Sequence, residues 1–209
     1  DPEAEVLFTQ NTAYSLDMTD HGSAAASSLM NALRATYDAS IAVGYSPLVS
    51  TSIYCGDYSK QQLLWVMAGN YAVSQGDYTG AELRQMMEWL VNVKDNGANP
   101  IRHRNYMPVT SGMEYKVTEY EQGKFRLEEL TINGAPLDDT ATYTVFVAGT
   151  DVWMEDKAYC NCPMPENLKA KRTEYAIEGA DSRSCLKDSL AVSKQFPAPS
   201  EYLTIVQGE

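Results

Sequence analysis

Apolar residues recur at helical spacing from Ser23 to Tyr37, where Ala26, Leu29, Met30, Leu33 and Tyr37 share one face, and this predicts a helix. Ile41, Ala42 and Val43 follow as a continuous apolar run, the pattern of a strand buried on both faces. That run opens into Gly44, Tyr45, Ser46, Pro47 and Leu48, a small-residue loop of the kind α/β proteins use to hold a ligand. A second helix is predicted from near Asp57, which can cap the free amides ahead of Leu63, Leu64, Val66 and Met67; Gly69 and Asn70 mark its end. Tyr71 to Gln75 alternates and reads as a strand. In "TGAELRQMMEWLV", Thr79 and Glu82 have capping-box spacing ahead of the stripe Leu83, Met86, Met87, Leu90 and Val91.

The pattern then changes period. Glu114 to Tyr120 and Phe125 to Ile132 alternate, Asn133-Gly134 is a hairpin signal, and Tyr143 to Val147 is a further strand. Asp151 to Ala176 is polar, cysteine-bearing and irregular. Ser182 to Gln195 reads as a helix on Leu186, Leu190 and Val192, and Tyr202 to Val206 as a closing strand. Helices and strands mix without regular βαβ alternation. The expectation is an α+β or mixed α/β single domain over residues 1–209.

Charge narrows the partners. Sixteen basic residues against 28 acidic ones leave a formal net charge of -12, so the surface repels nucleic acid and anionic membranes. The strongest apolar run, Leu63 to Ala68, is far too short to span a bilayer. With no signal peptide and a start at Asp1, the chain reads as a mature form or an excised piece.

Cys55, Cys160, Cys162 and Cys185 fit two disulfides in an oxidising compartment, four free thiols or a zinc site. The single residue between Cys160 and Cys162 has no matching second pair, which argues against zinc. A bridge between those two would be strained, so on oxidation each would pair with Cys55 or Cys185.

Three segments together resemble the C-terminal domain of the 5'-nucleotidase family: "LMNALRATYDASIAV", "GDYSKQQLLWVMAGNYAVSQGDYTGAELRQMMEWLV" and "LEELTINGAPLDDTATYTVFVAGTD". The final "CLKDSLAVSK…YLTIVQGE" also suits that domain's last helix and strand, so the resemblance covers nearly the whole chain. It implies a domain that binds a nucleoside or nucleotide, next to a separate N-terminal metallophosphatase domain that holds two divalent metal ions. This chain has only His21 and His103, without the Asp-x-His start or Asn-His pair of a two-metal centre. No cofactor or metal, and no catalytic residue, is therefore expected in this chain.

Set against the family's motifs, the ligand residues are altered. Where the family has "NGGGIR", Ile41 to Val43 leads into Gly44 and Tyr45, with no arginine to grip phosphate. The family's "PFGN" corresponds to Met67, Ala68, Gly69 and Asn70, which keeps Gly69 and Asn70 and replaces the phenylalanine. Thr150 stands nearest the second base-stacking phenylalanine, and Trp153 could offer a stacking face in its place. Ligand contacts are thus expected from Asn70, Gly69, Tyr45, Tyr71, Thr150 and Trp153. Tyrosines also suit half-buried sheet edges, and asparagine after glycine also caps helices. The triplet Arg102, His103 and Arg104 could meet an anion, though it also suits a solvated loop. Because the loops bearing Cys55 and Cys160/Cys162 are neighbours in the family fold, the resemblance further implies a disulfide from Cys55 to one of them.

The resulting expectation is a nucleoside- or nucleotide-binding domain of a secreted or cell-surface 5'-nucleotidase-like hydrolase, not catalytic by itself. The alternative is a degenerate domain acting as a structural or protein-interaction module. A stand-alone hydrolase has no visible Ser-His-Asp or Cys-His arrangement behind it.

Overall fold

The computed structural model describes residues 4–45, 48–67, 69–92, 107–149 and 164–208. Along the chain run β1 (Val6–Gln10), α1 (Ala24–Thr36), β2 (Ile41–Tyr45), β3 (Gly56–Ser59), α2 (Lys60–Val66), β4 (Ala72–Thr79), α3 (Gly80–Asn92), β5 (Pro108–Ser111), β6 (Glu114–Glu121), β7 (Lys124–Ile132), β8 (Ala135–Pro136), β9 (Thr142–Ala148), α4 (Glu166–Glu174), β10 (Ala176–Asp181), α5 (Ser182–Ser193) and β11 (Leu203–Gln207).

The apolar run Val145 to Ala148 sits at the centre of a five-stranded sheet ordered β10-β4-β9-β2-β5. β9 runs parallel to β2 and antiparallel to β4, and β5 and β10 are antiparallel edges. A strand buried on both faces needs no polar alternation, which is why β9 and β2 read as unbroken apolar segments. On one face, Tyr37 at the end of α1 stacks on Phe146 with ring centroids 4.8 Å apart. Gln75 of β4 donates to the Tyr37 carbonyl on that face, so alternation turns the neighbouring Ser74 to the opposite face, under α4. The sheet is thus covered on both sides, α1 packing against α5 on the first. The architecture is the mixed α/β domain expected from the sequence.

A second sheet, ordered β11-β6-β7-β8, is joined to the first through α3, which touches both β4 and β7. The β7–β8 hairpin turns at Asn133 and Gly134, with φ of 53° and 75° as the Asn-Gly signal requires. The third sheet is the pair β1-β3, tied down by a cluster in which Phe8 stacks on Tyr58 at 5.2 Å and both meet Phe196 edge-on.

Several boundaries differ from those expected from the sequence. Asp57 does not cap a helix: it lies in β3 and accepts a hydrogen bond from Thr9 of β1 at 2.7 Å. Ser59 caps α2 instead, in a capping box with Gln62. The reason is long-range, since β3 finds its partner in β1, far away in sequence. α2 stops at Val66 rather than at Gly69 and Asn70, because its last carbonyls have partners elsewhere: Ser50 takes that of Val66, and Arg183 those of Leu64 and Met67. The irregular segment is also corrected, since Glu166–Glu174 is helical and β10 follows.

α4 escapes a periodicity search because only Leu168 and Arg172 are buried along it. Polar anchors hold it to β4. The Arg172 guanidinium donates to the carbonyls of Ala72 (2.7 Å) and Val147 (3.2 Å) and to the Ser74 hydroxyl. Tyr175 lies over Gly76 so closely that a Cβ there would enter its ring. Lys171 binds the Glu82 carboxylate at 2.6 Å. Glu82 also completes the predicted capping box, accepting from the Thr79 amide at 2.8 Å while its own amide donates to the Thr79 hydroxyl at 3.2 Å.

Burial raises the Glu82 pKa, but the bonds from Lys171 and Thr79 outweigh it and hold the carboxyl below its ordinary 4.5. A depressed carboxyl contributes stability above its unfolded pKa and loses it as pH falls through the folded one. Glu82→Ala is expected to cost about 1–2 kcal/mol in urea unfolding at neutral pH. The difference from wild type should shrink on titration below pH 4.5, the carboxyl's ordinary value; an unchanged difference there would show that the charge contributes nothing.

Candidate ligand site at one edge of the central sheet

Strand directions decide what meets at the site. Val43 of β2 lies beside Val147 of β9, and Val73 of β4 beside Ala148, so the end of β2, the start of β4 and the end of β9 share one edge. Asp181 pairs with Ala72, which brings the start of α5 to the same edge. Tyr45, Gly69, Asn70 and Tyr71, scattered through the sequence, are therefore neighbours at this end of the sheet.

The loop after β2 folds inward. Leu48 is buried, and its side chain occupies the space between Gly44 and Gly149: a Cβ on Gly44 would lie 3.0 Å, and one on Gly149 2.6 Å, from Leu48 carbons. The following residues are stitched to the end of α2, with Val49 bridging Met67 and the Ser50 amide donating to the Val66 carbonyl at 2.8 Å. Leu48, an apolar side chain, thus stands where the family's glycine–arginine loop would grip phosphate.

The loop before β4 is held by α5. Ser182 accepts from the Tyr71 amide at 3.1 Å, donates to the Gly69 carbonyl at 3.2 Å, and its own amide donates to the Tyr71 carbonyl at 2.9 Å. Gly69 is half-buried against the Tyr71 ring. Asn70, between them, is exposed, and its side-chain amide makes no hydrogen bond among the described residues.

A cavity of about 340 Å³ opens here between α2 and α5. Asn70 stands in its lining with the apolar Leu63, Leu64 and Leu186 and the cations Lys60, Arg183 and Lys187. The size lies at the small end of the range for ligand pockets, and apolar walls with a few polar groups are their usual make-up. Asp181 also faces it, but its carboxylate is committed to the α5 cap, accepting from the Ser184 amide at 2.8 Å.

Of the residues expected to contact ligand, Asn70 lines this cavity, Gly69 and Tyr71 flank it, and Tyr45 ends β2 at the same edge. Thr150 and Trp153 lie outside the described residues, as does the Arg102–Arg104 triplet. Arg183 and Lys187 were missed because they lie on a helix more than a hundred residues downstream of Asn70, and no local motif ties them to it. Among the described residues, no three His, Cys, Asp or Glu side chains come together as a metal site. None of the described helices is long and apolar enough to cross a membrane.

The cysteines require a correction. Cys55 is a free, exposed thiol whose Sγ donates to the Asn11 carbonyl at 3.3 Å. Cys185 is free and buried on the inner face of α5, where the Tyr37 hydroxyl donates to its sulfur at 3.0 Å. Burial pushes the Cys185 thiol pKa up, opposed by the Tyr37 bond, and burial together with that contact raises Tyr37 as well. Neither sulfur is bridged, because one points to surface backbone and the other into the helix interface; Cys160 and Cys162 lie outside the described residues. Iodoacetamide applied to the unreduced native protein should alkylate Cys55 and spare Cys185 until the chain unfolds. Peptide mass mapping that found Cys55 in a disulfide would overturn this assignment.

Comparison with known proteins places this geometry. The family model for "5'-nucleotidase, C-terminal domain" matches residues 5–152. Among solved structures, a 5'-nucleotidase precursor from Thermus thermophilus superimposes with a TM-score of 0.71 at 16% identity, covering 100% of this chain and 41% of that one. The NAD nucleotidase of Haemophilus influenzae gives 0.72 at 12% identity, covering 100% of this chain and 39% of that one. A sulfate thiohydrolase from Thermus thermophilus gives 0.68 at 15% identity, covering 99% and 36% respectively. The chain thus spans about two fifths of the length of these proteins, and at such identities the likeness is one of fold. No curated protein sequence matches it.

Proposed function

The chain belongs to the 5'-nucleotidase C-terminal domain family, and from that premise we propose that it binds a nucleoside or nucleotide, serving as the ligand-binding part of a 5'-nucleotidase-like hydrolase. The observation that supports this best is Asn70: an exposed amide with no hydrogen bond among the described residues, at the lip of a cavity where the loop before β4 meets the start of α5. An amide carries both a donor and an acceptor, the complement of a base edge. Leu63, Leu64 and Leu186 supply apolar surface for the base face. Hydrolysis itself would fall to a separate metal-binding domain, the metallophosphatase partner that the family resemblance implies, and an extracytoplasmic or cell-surface setting belongs to the same reading. A purely structural module is less well supported, because a committed scaffold loop would tie down Asn70 as it does Gly69 and Tyr71.

Thermal denaturation with adenosine tests the proposal. Ligand at ten times its dissociation constant stabilises by about 1.4 kcal/mol, and this should raise the melting temperature by about 3–5 °C for a chain of this size. Asn70→Ala, a change on an exposed side chain, should leave the unliganded midpoint within about 0.5 kcal/mol of wild type and abolish most of the shift. Flat curves for wild type at millimolar adenosine would refute nucleoside binding.

A further inference from the structure

We propose that the cationic side of the Asn70 cavity, formed by Arg183 and Lys187 of α5 with Lys60 of α2, binds a phosphate dianion. The inference deepens the nucleotide reading and rests on it for the identity of the molecule that carries the phosphate. Its basis is how the cations of this chain are used. With a formal net charge of -12 there is no shortage of carboxylates, and several cations sit on one: Arg84 on Asp139 at 2.8 Å, Lys116 on Glu129 at 3.0 Å and Lys171 on Glu82 at 2.6 Å. Arg183 and Lys187 have no carboxylate partner among the described residues, and both face the same cavity.

Arg183 is held in place without being neutralised. Its Nη2 donates to the carbonyls of Met67 (3.1 Å) and Leu64 (3.4 Å), and its Nε is buried with no acceptor among the described residues. Carbonyl contacts orient a guanidinium but leave its full charge, so the group presents a fixed positive field to the cavity. Lys187, one helical turn on, is exposed and adds a mobile point charge. Among the described residues, the one carboxylate in the lining, Asp181, is spent on the Ser184 amide. An anion entering here meets several positive charges in a partly desolvated site, where charge-assisted bonds are strongest. The arrangement restores positive charge that the loop after β2 lacks, from the opposite end of the chain.

The test is a nitrogen-15 chemical-shift titration with inorganic phosphate at constant ionic strength, repeated with adenosine and with AMP. Phosphate is expected to saturate and to move the amides of Lys60, Asn70, Arg183 and Lys187. Lys187→Glu, a surface change, is expected to weaken phosphate about tenfold while leaving adenosine unaffected; Lys194→Glu, at the far end of α5, should change neither. Arg183→Gln tests the guanidinium directly, and Lys187→Glu keeps the result readable if that variant loosens the end of α2. Shifts that fail to saturate, that map elsewhere or that persist unchanged in Lys187→Glu overturn the inference. AMP binding more tightly than either fragment assigns the phosphate to a nucleotide, whereas AMP no tighter than inorganic phosphate assigns the site to the free ion. Adenosine binding without phosphate binding refutes this inference alone; phosphate binding without adenosine binding refutes only the nucleoside reading.

Discussion

The pairing of β9 with strands on both of its edges is the constraint from which the rest of the molecule follows. Val145 to Ala148 is fully buried, and its backbone groups are engaged by β2 on one side and β4 on the other. A buried peptide group without a partner costs about as much as a lost hydrogen bond, so neither neighbour can slip without leaving a row of them unmade. Register here decides which loops end together. One parallel and one antiparallel neighbour put the end of β2, the start of β4 and the end of β9 on a single edge, and β10 then carries the start of α5 to it.

At that edge the family's fold is kept while the side chains that stand at its motif positions differ. Leu48 fills the gap between Gly44 and Gly149, so the loop after β2 contributes packing rather than charge. Positive charge enters from α5, whose Ser182 pins the Gly69–Tyr71 loop and whose Arg183 closes the end of α2. The same helix turn therefore shapes the cavity and charges it. The side opposite α1 follows a similar economy: α4, with almost no apolar surface, is held by Arg172 on backbone carbonyls and by Lys171 on Glu82.

What could be read from the chain alone was whatever depends on neighbours in sequence. The α1 stripe, the Thr79–Glu82 box, the Asn133-Gly134 turn and the apolar runs of β2 and β9 are each written within a few residues, and each stands in the structure close to where its pattern put it. Asn70 and Gly69 could be singled out because the family motif they match is local as well. The misreadings all involve distant partners. Asp57 looks like a cap until β1 arrives to pair with it, α2 looks longer until Arg183 and Ser50 take its last carbonyls, and α4 has no stripe because polar anchors hold it.

The sequence by itself determined the mixed α/β class, the main helices and hairpin, and the absence of a local phosphate-gripping motif after Val43, because periodicity and turn chemistry act over short spans. Only the tertiary structure decided that Leu48 occupies that place, that Cys55 and Cys185 face different surroundings and stay unbridged, and that Lys60, Asn70, Arg183 and Lys187 surround one cavity. Such facts depend on strand register and helix packing between segments far apart in the chain, and no local pattern encodes which segments will meet.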